Sequence, residues 1–320
     1  MSVKRDFIAE IEEIRGRMVA TDWDNGITKL LFLCDQMKGL QEETEQQSYF
    51  LVASIAAIET YFRWEIRRLV DSGDQRYVNN LRLDDLQIKI NHDLAAALNR
   101  RRVTIGELVA HSVGLSNLDA INKSMSTLLE ADFIELVKEA RDPHSRREHG
   151  ENAPTIIRSA GDTIANVRRA FELRHIICHE AHLNVPAGLA EVKQLCSSCY
   201  EFVLASHYGI AFHWNPMAPL TLKEKYKEAS TAVQALEKGI KSIEALIALK
   251  LDLREKESFD AMQQTWRLYV EREAAFHASL QMNGNRAALY GQLAIAKLFS
   301  KRLDELQEYA KTIDRGAPAK

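Results

Sequence analysis

Residues 48–70 read SYFLVASIAAIETYFRWEIRRLV, and this stretch decides the fold. Between Tyr49 and Ile58 it is apolar on nearly every side of a helix, which is typical of a helix packed against several others. One acid, Glu59, follows directly. We therefore predict a central helix from about residue 42 to residue 70, with other elements packed around it.

The rest of the chain has the composition of a helical protein. It has 320 residues, 46% of them hydrophobic, with only six prolines and fourteen glycines. Helical periodicity extends through most of this length, so the predicted fold class is all-α. The net charge of -3 argues against a protein that coats nucleic acid non-specifically, because such binding needs many Lys and Arg contacts to phosphate.

Two prolines, Pro216 and Pro219, mark a break in the helical pattern. Because the residue before a proline disfavours the helical conformation, we place a domain boundary near residue 218. The prediction is a helical bundle over residues 1–218, a smaller helical domain over 219–315 and a disordered tail over 316–320. Within these domains we expect one helical segment from Leu118 to Ala140, a loop over 141–162 and continuous helix from 220 to 280.

The sequence also indicates the compartment. No run approaches the roughly 18 to 20 apolar residues of a membrane span, so we expect no membrane partner. The four cysteines have apolar neighbours inside predicted helices, which is typical of buried thiols in a reducing compartment. We therefore expect a cytoplasmic protein.

The candidate chemistry lies in the stretch RHIICHE, residues 174–180. Arg174 has a planar cation suited to a phosphate, and His179 has the side chain that exchanges protons near neutral pH. In RNA cleavage a base takes the proton of the ribose 2′-hydroxyl and a cation stabilises the charge on the phosphate. This chemistry needs no metal and no cofactor.

The spacing sets a geometric condition on such a site. At 100° per residue, Arg174 and His179 lie about 140° apart on a helix, whereas His175 and His179 share a face. Two copies meeting across a two-fold axis would bring complementary groups into one cleft. We therefore predict a homodimer with the active groove at its interface.

The motif Arg174-His175-xxx-His179 resembles the signature of the HEPN family of helical-bundle ribonucleases. Residues 48–70 resemble the long helix of that family with its mid-helix acid, here Glu59. The stretches TIGELVAHSVG (104–114) and LLEADF (128–133) are similar to helices that precede the motif in some bacterial branches. The resemblance covers roughly residues 5–210.

This resemblance implies a metal-independent endoribonuclease that leaves 2′,3′-cyclic phosphate and 5′-hydroxyl ends. Such proteins are commonly dimeric and act in toxin–antitoxin and anti-phage systems, so an antitoxin or a phage-derived regulator is an expected partner. Arg174 and His179 correspond to the catalytic residues, His175 to the polar residue beside the arginine and Glu59 to an accessory acid. The alternative is a catalytically silent HEPN module that binds a partner protein or a nucleotide.

Several arginines precede the motif and form a candidate contact surface for the RNA backbone. They are Arg146, Arg147, Arg158, Arg168 and Arg169. Acidic residues are interspersed among them, so a solvated loop and helix face is the alternative interpretation.

A zinc site is a competing interpretation of the residues after the motif. His179, His182, Cys196 and Cys199 have the ligand number of a structural zinc site. Against this, both cysteines fall on the apolar face of a predicted helix, together with Leu189, Val192, Leu195 and Phe202.

The C-terminal region has a resemblance of its own. The stretches 262–276 (MQQTWRLYVEREAAF) and 293–306 (LAIAKLFSKRLDEL), with Gly284 between them, resemble the helical domain of LprI-type lysozyme inhibitors. That family usually has paired cysteines, whereas Ala274 and Ala294 stand here. We interpret this domain as a sensor, partner-binding or oligomerisation element.

Overall fold

The computed structural model describes residues 7–17, 25–40, 46–74, 76–77, 91–179, 187–281 and 284–316. Within these ranges the regular structure is helical and the β-structure is limited to an isolated bridge between Arg141 and Thr155. The predicted all-α class is therefore confirmed. None of the described helices combines the length and the apolar character needed to cross a membrane.

The chain divides into two compact units between Pro216 and Met217. Of the predicted tail, residues 317–320 lie outside the described residues. The α-helices of the first unit are α1 (Phe7–Arg17), α2 (Asn25–Lys38), α3 (Gln46–Asp71), α4 (His92–Asn99), α5 (Ile105–Ser112), α6 (Leu118–Leu129), α7 (Phe133–Lys138), α8 (Pro143–His149), α9 (Ala160–His179) and α10 (Leu189–Trp214).

Helix α3 is the central helix of this unit, as its apolar sequence predicts. It buries side chains on several sides, including Phe62, which is fully buried. The ring of Phe62 lies 5.6 Å from that of Phe133 on α7 and 5.9 Å from that of Phe202 on α10. A helix apolar all round is stable only when neighbours cover it, and α3 packs on α2, α5, α9 and α10.

Helices α3 and α10 run in the same direction. Near the start of both, the hydroxyl of Ser54 donates to Sγ of Cys196 at 3.4 Å. Eleven residues further along both helices, Glu65 Oε1 lies 3.6 Å from Nδ1 of His207. Since the two contacts are equally spaced along both helices, α3 and α10 are parallel.

Helices α9 and α10 run in opposite directions. Nδ2 of Asn166 donates to Oγ of Ser198 at 3.0 Å, and the hydroxyl of Thr163 donates to the carboxylate of Glu201 at 3.4 Å. The earlier residue on α9 meets the later residue on α10, so this pair is antiparallel. It follows that α9 is also antiparallel to α3.

Two predictions for the middle of the chain were wrong in detail. The segment predicted as one helix from Leu118 to Ala140 is divided at Glu130, which has a left-handed backbone with φ of 52°. The segment predicted as a loop contains α8, which begins with Pro143. Asp142 caps that helix by accepting from the backbone N–H of Ser145, and proline suits a first turn because its missing N–H would have no helical partner there.

The described part of the second unit consists of α11 (Leu222–Ala248), α12 (Leu253–Ser279) and α13 (Gly284–Gly316). The prediction of one continuous helix from 220 to 280 was wrong. Asp252 stops it by capping α12, and Asp252 and Glu255 each accept from the other's backbone N–H. Apolar side chains from all three helices form the core of this unit: Ile240, Ile247, Phe259, Val270, Phe299 and Leu306.

Candidate functional site

The structure brings Arg174 on α9 next to Glu59 on α3. Nη2 of Arg174 lies 3.8 Å from Oε1 of Glu59, and the two side chains are 29% and 22% exposed. At this distance the two groups form an ion pair rather than a hydrogen bond. The predicted phosphate-binding arginine therefore faces the predicted accessory acid, at a position that solvent still reaches.

The two motif histidines lie on the exposed surface of α9, the helix that carries Arg174. His175 and His179 are both exposed, and their ring centroids are 4.5 Å apart at an angle of 45°. Their four-residue spacing places them one above the other on a helix. An exposed imidazole pair and an accessible guanidinium are the kinds of group that acid–base cleavage of a phosphodiester needs.

The position of the histidines relative to α10 follows from the helical repeat. Asn166 marks the side of α9 that faces α10. At 100° per residue, His175 lies about 180° from Asn166 and His179 about 140°. The histidines therefore lie on the side of α9 that is turned away from α10. Arg174 lies about 80° from Asn166 by the same rule, on the side where it meets Glu59 of α3.

Sequence reasoning missed Arg63, which lies one helical turn after Glu59 on α3. Its Nη1 donates to the backbone carbonyl of Ala110 on α5 at 2.7 Å. The four-residue spacing of an acid and an arginine on one helix was a signal available in the sequence. Arg63 thus ties the α3 face that carries Glu59 to the end of α5.

Of the predicted RNA-binding arginines, Arg146 lies far from the motif. It donates to the carboxylate of Glu151 at 2.7 Å, and its guanidinium lies 3.5 Å from the ring centroid of Phe212. Phe212 is near the end of α10, whereas α9 brings His179 towards the beginning of that helix. The structure therefore does not bring Arg146 to the motif residues.

Arg168 and Arg169 lie on α9 itself. Arg168 is seven residues before His175, so the two share a face, and its Nη2 donates to Asp119 at 2.7 Å. Arg169 instead contacts Glu172 at 3.4 Å and Glu191 on α10 at 3.6 Å. Arg168 therefore lies in line with the histidines, while Arg169 lies on the α10 side.

The remaining two predicted RNA-binding residues, Arg147 and Arg158, are exposed. Arg147 belongs to α8 with Arg146, and Arg158 comes just before α9. Since the motif is at the other end of α9, neither of them lies next to Arg174.

The cysteines of the zinc interpretation pack as core thiols. Cys196 and Cys199 are fully buried; burial raises the pKa of Cys196 to about 12 and that of Cys199 well above its ordinary value. His179 is exposed, and His182 lies outside the described residues. Over the described ranges no group of three or more His, Cys, Asp or Glu side chains is arranged to hold a metal ion.

Comparisons with known proteins give no match to this chain. This holds for protein-family models, for curated proteins and for solved structures.

Proposed function

We propose that this protein is a metal-independent endoribonuclease. The observation that supports this function best is the arrangement around α9. Arg174 lies 3.8 Å from Glu59 at the α3 surface, and the same helix carries the exposed His175–His179 pair. The site presents a cation for a phosphate and imidazoles for proton transfer, in a position that a polymer can reach.

The proposed reaction uses the ribose of the substrate as the nucleophile. His179 takes the proton of the 2′-hydroxyl, and that oxygen forms a bond to the adjacent phosphorus. The bond from phosphorus to the 5′-oxygen of the next nucleotide breaks, and His179 gives its proton to this oxygen and returns to the neutral form. The products carry a 2′,3′-cyclic phosphate and a 5′-hydroxyl, while Arg174 stabilises the negative charge that builds on the phosphoryl oxygens.

A second copy of the chain completes the site in this proposal. Arg174 and His179 lie about 140° apart on one helix, so a single α9 does not point both at one phosphate. A homodimer in which two α9 helices meet across a two-fold axis would provide both groups in one groove. In this setting the protein acts in the cytoplasm as a toxin or anti-phage effector, under an antitoxin or phage-derived regulator.

One observation favours the catalytically silent module as a second candidate. The carboxylate of Glu59 lies 3.8 Å from the guanidinium of Arg174 and competes with a phosphate for that cation. An arginine already paired with an acid is a weaker phosphate ligand until that acid moves or is displaced. A module that binds a partner or a nucleotide tolerates this arrangement, because it needs no turnover.

The test compares wild type with His179→Ala and Arg174→Ala on total cellular RNA in EDTA, with fragment ends mapped by sequencing. We expect cleavage by wild type, with cyclic-phosphate ends, and a loss of at least about a hundredfold in either variant. His277→Ala and Arg272→Ala, which alter exposed residues of the second unit, are the matched controls and should cleave like wild type.

Two results would contradict the cleavage mechanism: activity that EDTA abolishes, or equal activity on DNA. Absence of cleavage, combined with Arg174-dependent binding of RNA carrying 2′-O-methyl groups, would support the silent module instead. Circular dichroism of each variant establishes that a loss of activity is not a loss of fold.

A further inference from the structure

Helix α9 carries two imidazoles at the spacing of a metal chelate. His175 and His179 are both exposed, and their ring centroids are 4.5 Å apart. Two histidines four residues apart share one face of a helix, and this is the spacing of the zinc-binding pair in helical metalloprotease motifs. The zinc interpretation of the sequence combined His179 with His182 and two cysteines. The ring contact instead pairs His179 with His175.

The separation of the two rings fits one metal ion between them. A metal–nitrogen bond of about 2.0 to 2.1 Å places the centroid of an imidazole about 3.2 Å from the ion. Two such rings have centroids about 4.5 Å apart when they meet the ion at 90°, and about 5.2 Å apart at the tetrahedral angle. The observed 4.5 Å therefore matches neighbouring positions of a square-planar or tetragonal ion. Among the divalent ions that imidazole binds, Cu²⁺ combines this geometry with the highest affinity.

The core of the first unit fixes the part of α9 that carries the two histidines. Ile176 and Ile177, which lie between them, pack against that core, and Leu173 just before them is fully buried. The helix thus holds one imidazole at a set distance from the other. Because both ligands stand on one rigid element, little conformational entropy is lost when they bind the same ion.

The charged neighbours of the histidines are balanced by partners of opposite sign. Arg174 lies 3.8 Å from Glu59, and Glu172 of the preceding turn lies 3.4 Å from Arg169. Arg174 therefore repels an ion at the imidazoles less than an isolated cation would. Cys178 is exposed on the same turn, so a test of the imidazoles has to remove its thiol.

We propose that His175 and His179 together bind one Cu²⁺ ion, each through a ring nitrogen, with water in the remaining coordination positions. A ring nitrogen whose lone pair is bound to copper accepts no proton, so a copper-loaded His179 does not act as a base. Bound copper thus switches off the proposed ribonuclease. The binding site stands on the ring geometry, whereas the switch rests on the proposed function.

The first test measures Cu²⁺ binding by isothermal titration calorimetry. Protein without an affinity tag is used in the Cys178→Ser background, because an exposed thiol reduces Cu²⁺. We expect one ion per chain. His175→Ala and His179→Ala should each weaken binding about a hundredfold, since the second ligand of a chelate acts at a high effective concentration. The double variant should lose much less than the product of the two single losses, because either change alone removes the chelate.

His277→Ala is the matched control for these variants. His277 is exposed, and the residue four positions before it is a carboxylate, Glu273, at 3.5 Å, instead of a second imidazole. Its removal should leave copper binding unchanged. Electron paramagnetic resonance of the bound Cu²⁺ should show two nitrogen ligands in the parent protein and fewer in His175→Ala or His179→Ala. Copper binding that His175→Ala leaves unchanged, or that His277→Ala abolishes, would overturn the site.

Two further outcomes separate this inference from the proposed function. In a titration of RNA cleavage, the Cu²⁺ concentration that halves the rate should equal the dissociation constant of the site, and EDTA should restore the rate. Cleavage that persists with copper bound keeps the ribonuclease and overturns the switch. Copper binding that depends on His175 and His179, in a protein that cleaves no RNA with or without EDTA, keeps the metal site and overturns catalysis.

Discussion

The two units of this protein bury polar groups in different ways. In the first unit, Glu65 is fully buried and accepts hydrogen bonds from Tyr61 at 3.1 Å and from Arg68 at 2.9 Å. In the second unit, the neutral amide of Gln263 takes a comparable place and accepts from Arg302 at 2.8 Å. A buried carboxylate is costly to desolvate, so Glu65 needs the hydrogen-bond donors that surround it in the core around α3. A neutral amide such as that of Gln263 does not carry this cost.

The largest expected effect on stability comes from removing the buried acceptor of the first unit. Glu65→Ala leaves the guanidinium of Arg68 without its carboxylate, between the rings of Trp64 and Trp214. We expect it to lower the free energy of unfolding of the first unit by about 4 kcal/mol. The change should appear as lost hydrogen-exchange protection in α3 and α10, measured by mass spectrometry across a urea series.

The matched change in the second unit should be smaller. Gln263→Ala removes one acceptor, but Arg302 keeps its contact to Glu305 at 3.0 Å and its position near the ring of Trp266. We expect a loss of about 1 to 2 kcal/mol, confined to α11, α12 and α13. Equal losses of unfolding free energy from Glu65→Ala and Gln263→Ala would contradict this difference between the two units.

Local capping signals show how much of each unit was predictable. In the first unit, Thr104 caps α5 through a capping box with Glu107, and the sequence shows this Thr-x-x-Glu spacing ahead of an apolar run. The same pattern, Asp252 followed by Glu255, occurs where we predicted unbroken helix. Charged, alanine-rich helical periodicity on both sides masked it, because a four-residue signal is weak against sixty residues of regular pattern.

The site was predictable only as far as one helix extends. The motif spacing predicted Arg174, His175 and His179, since all three lie on α9. Whether Arg174 meets Glu59 depends on how α3 and α9 pack, and these two helices are antiparallel. That direction is set by contacts to α10, such as Asn166 to Ser198, which no periodicity in the sequence reveals.

The stability of the first unit should depend on pH through the carboxylate of Glu107. Burial raises the pKa of Glu107, but hydrogen bonds from Arg15 and from the backbone N–H of Thr104, with the charge of Arg67, lower it more, so the net shift is downward. A lowered pKa in the folded state means that the stabilisation is complete above the unfolded value, near pH 4.3, and is lost as pH falls further.

We therefore expect Glu107→Gln to lower the stability of the first unit by about 2 kcal/mol at pH 7 and to have a much smaller effect at pH 3. Urea unfolding between these pH values measures it. Glu12→Gln is the control, because Glu12 pairs with Arg102 at 2.8 Å on the surface, where ion pairs contribute little. A Glu107→Gln effect independent of pH would refute this assignment.

The smallest expected effect on stability belongs to Cys178, and it offers a readout of one unit alone. All four cysteines precede residue 216, so thiol labelling reports on the first unit only. Cys178 is exposed, whereas burial raises the pKa of Cys34 to about 11 and that of Cys196 to about 12, which keeps both as unreactive thiols.

At pH 7.5 we expect one thiol to react rapidly with a disulfide reagent. Cys178→Ser should abolish this fast phase and leave the unfolding free energy within about 0.5 kcal/mol of wild type. Rapid labelling of a second thiol in the folded protein would show that the core beside α10 opens, which would contradict the large loss of stability expected for Glu65→Ala in that same core.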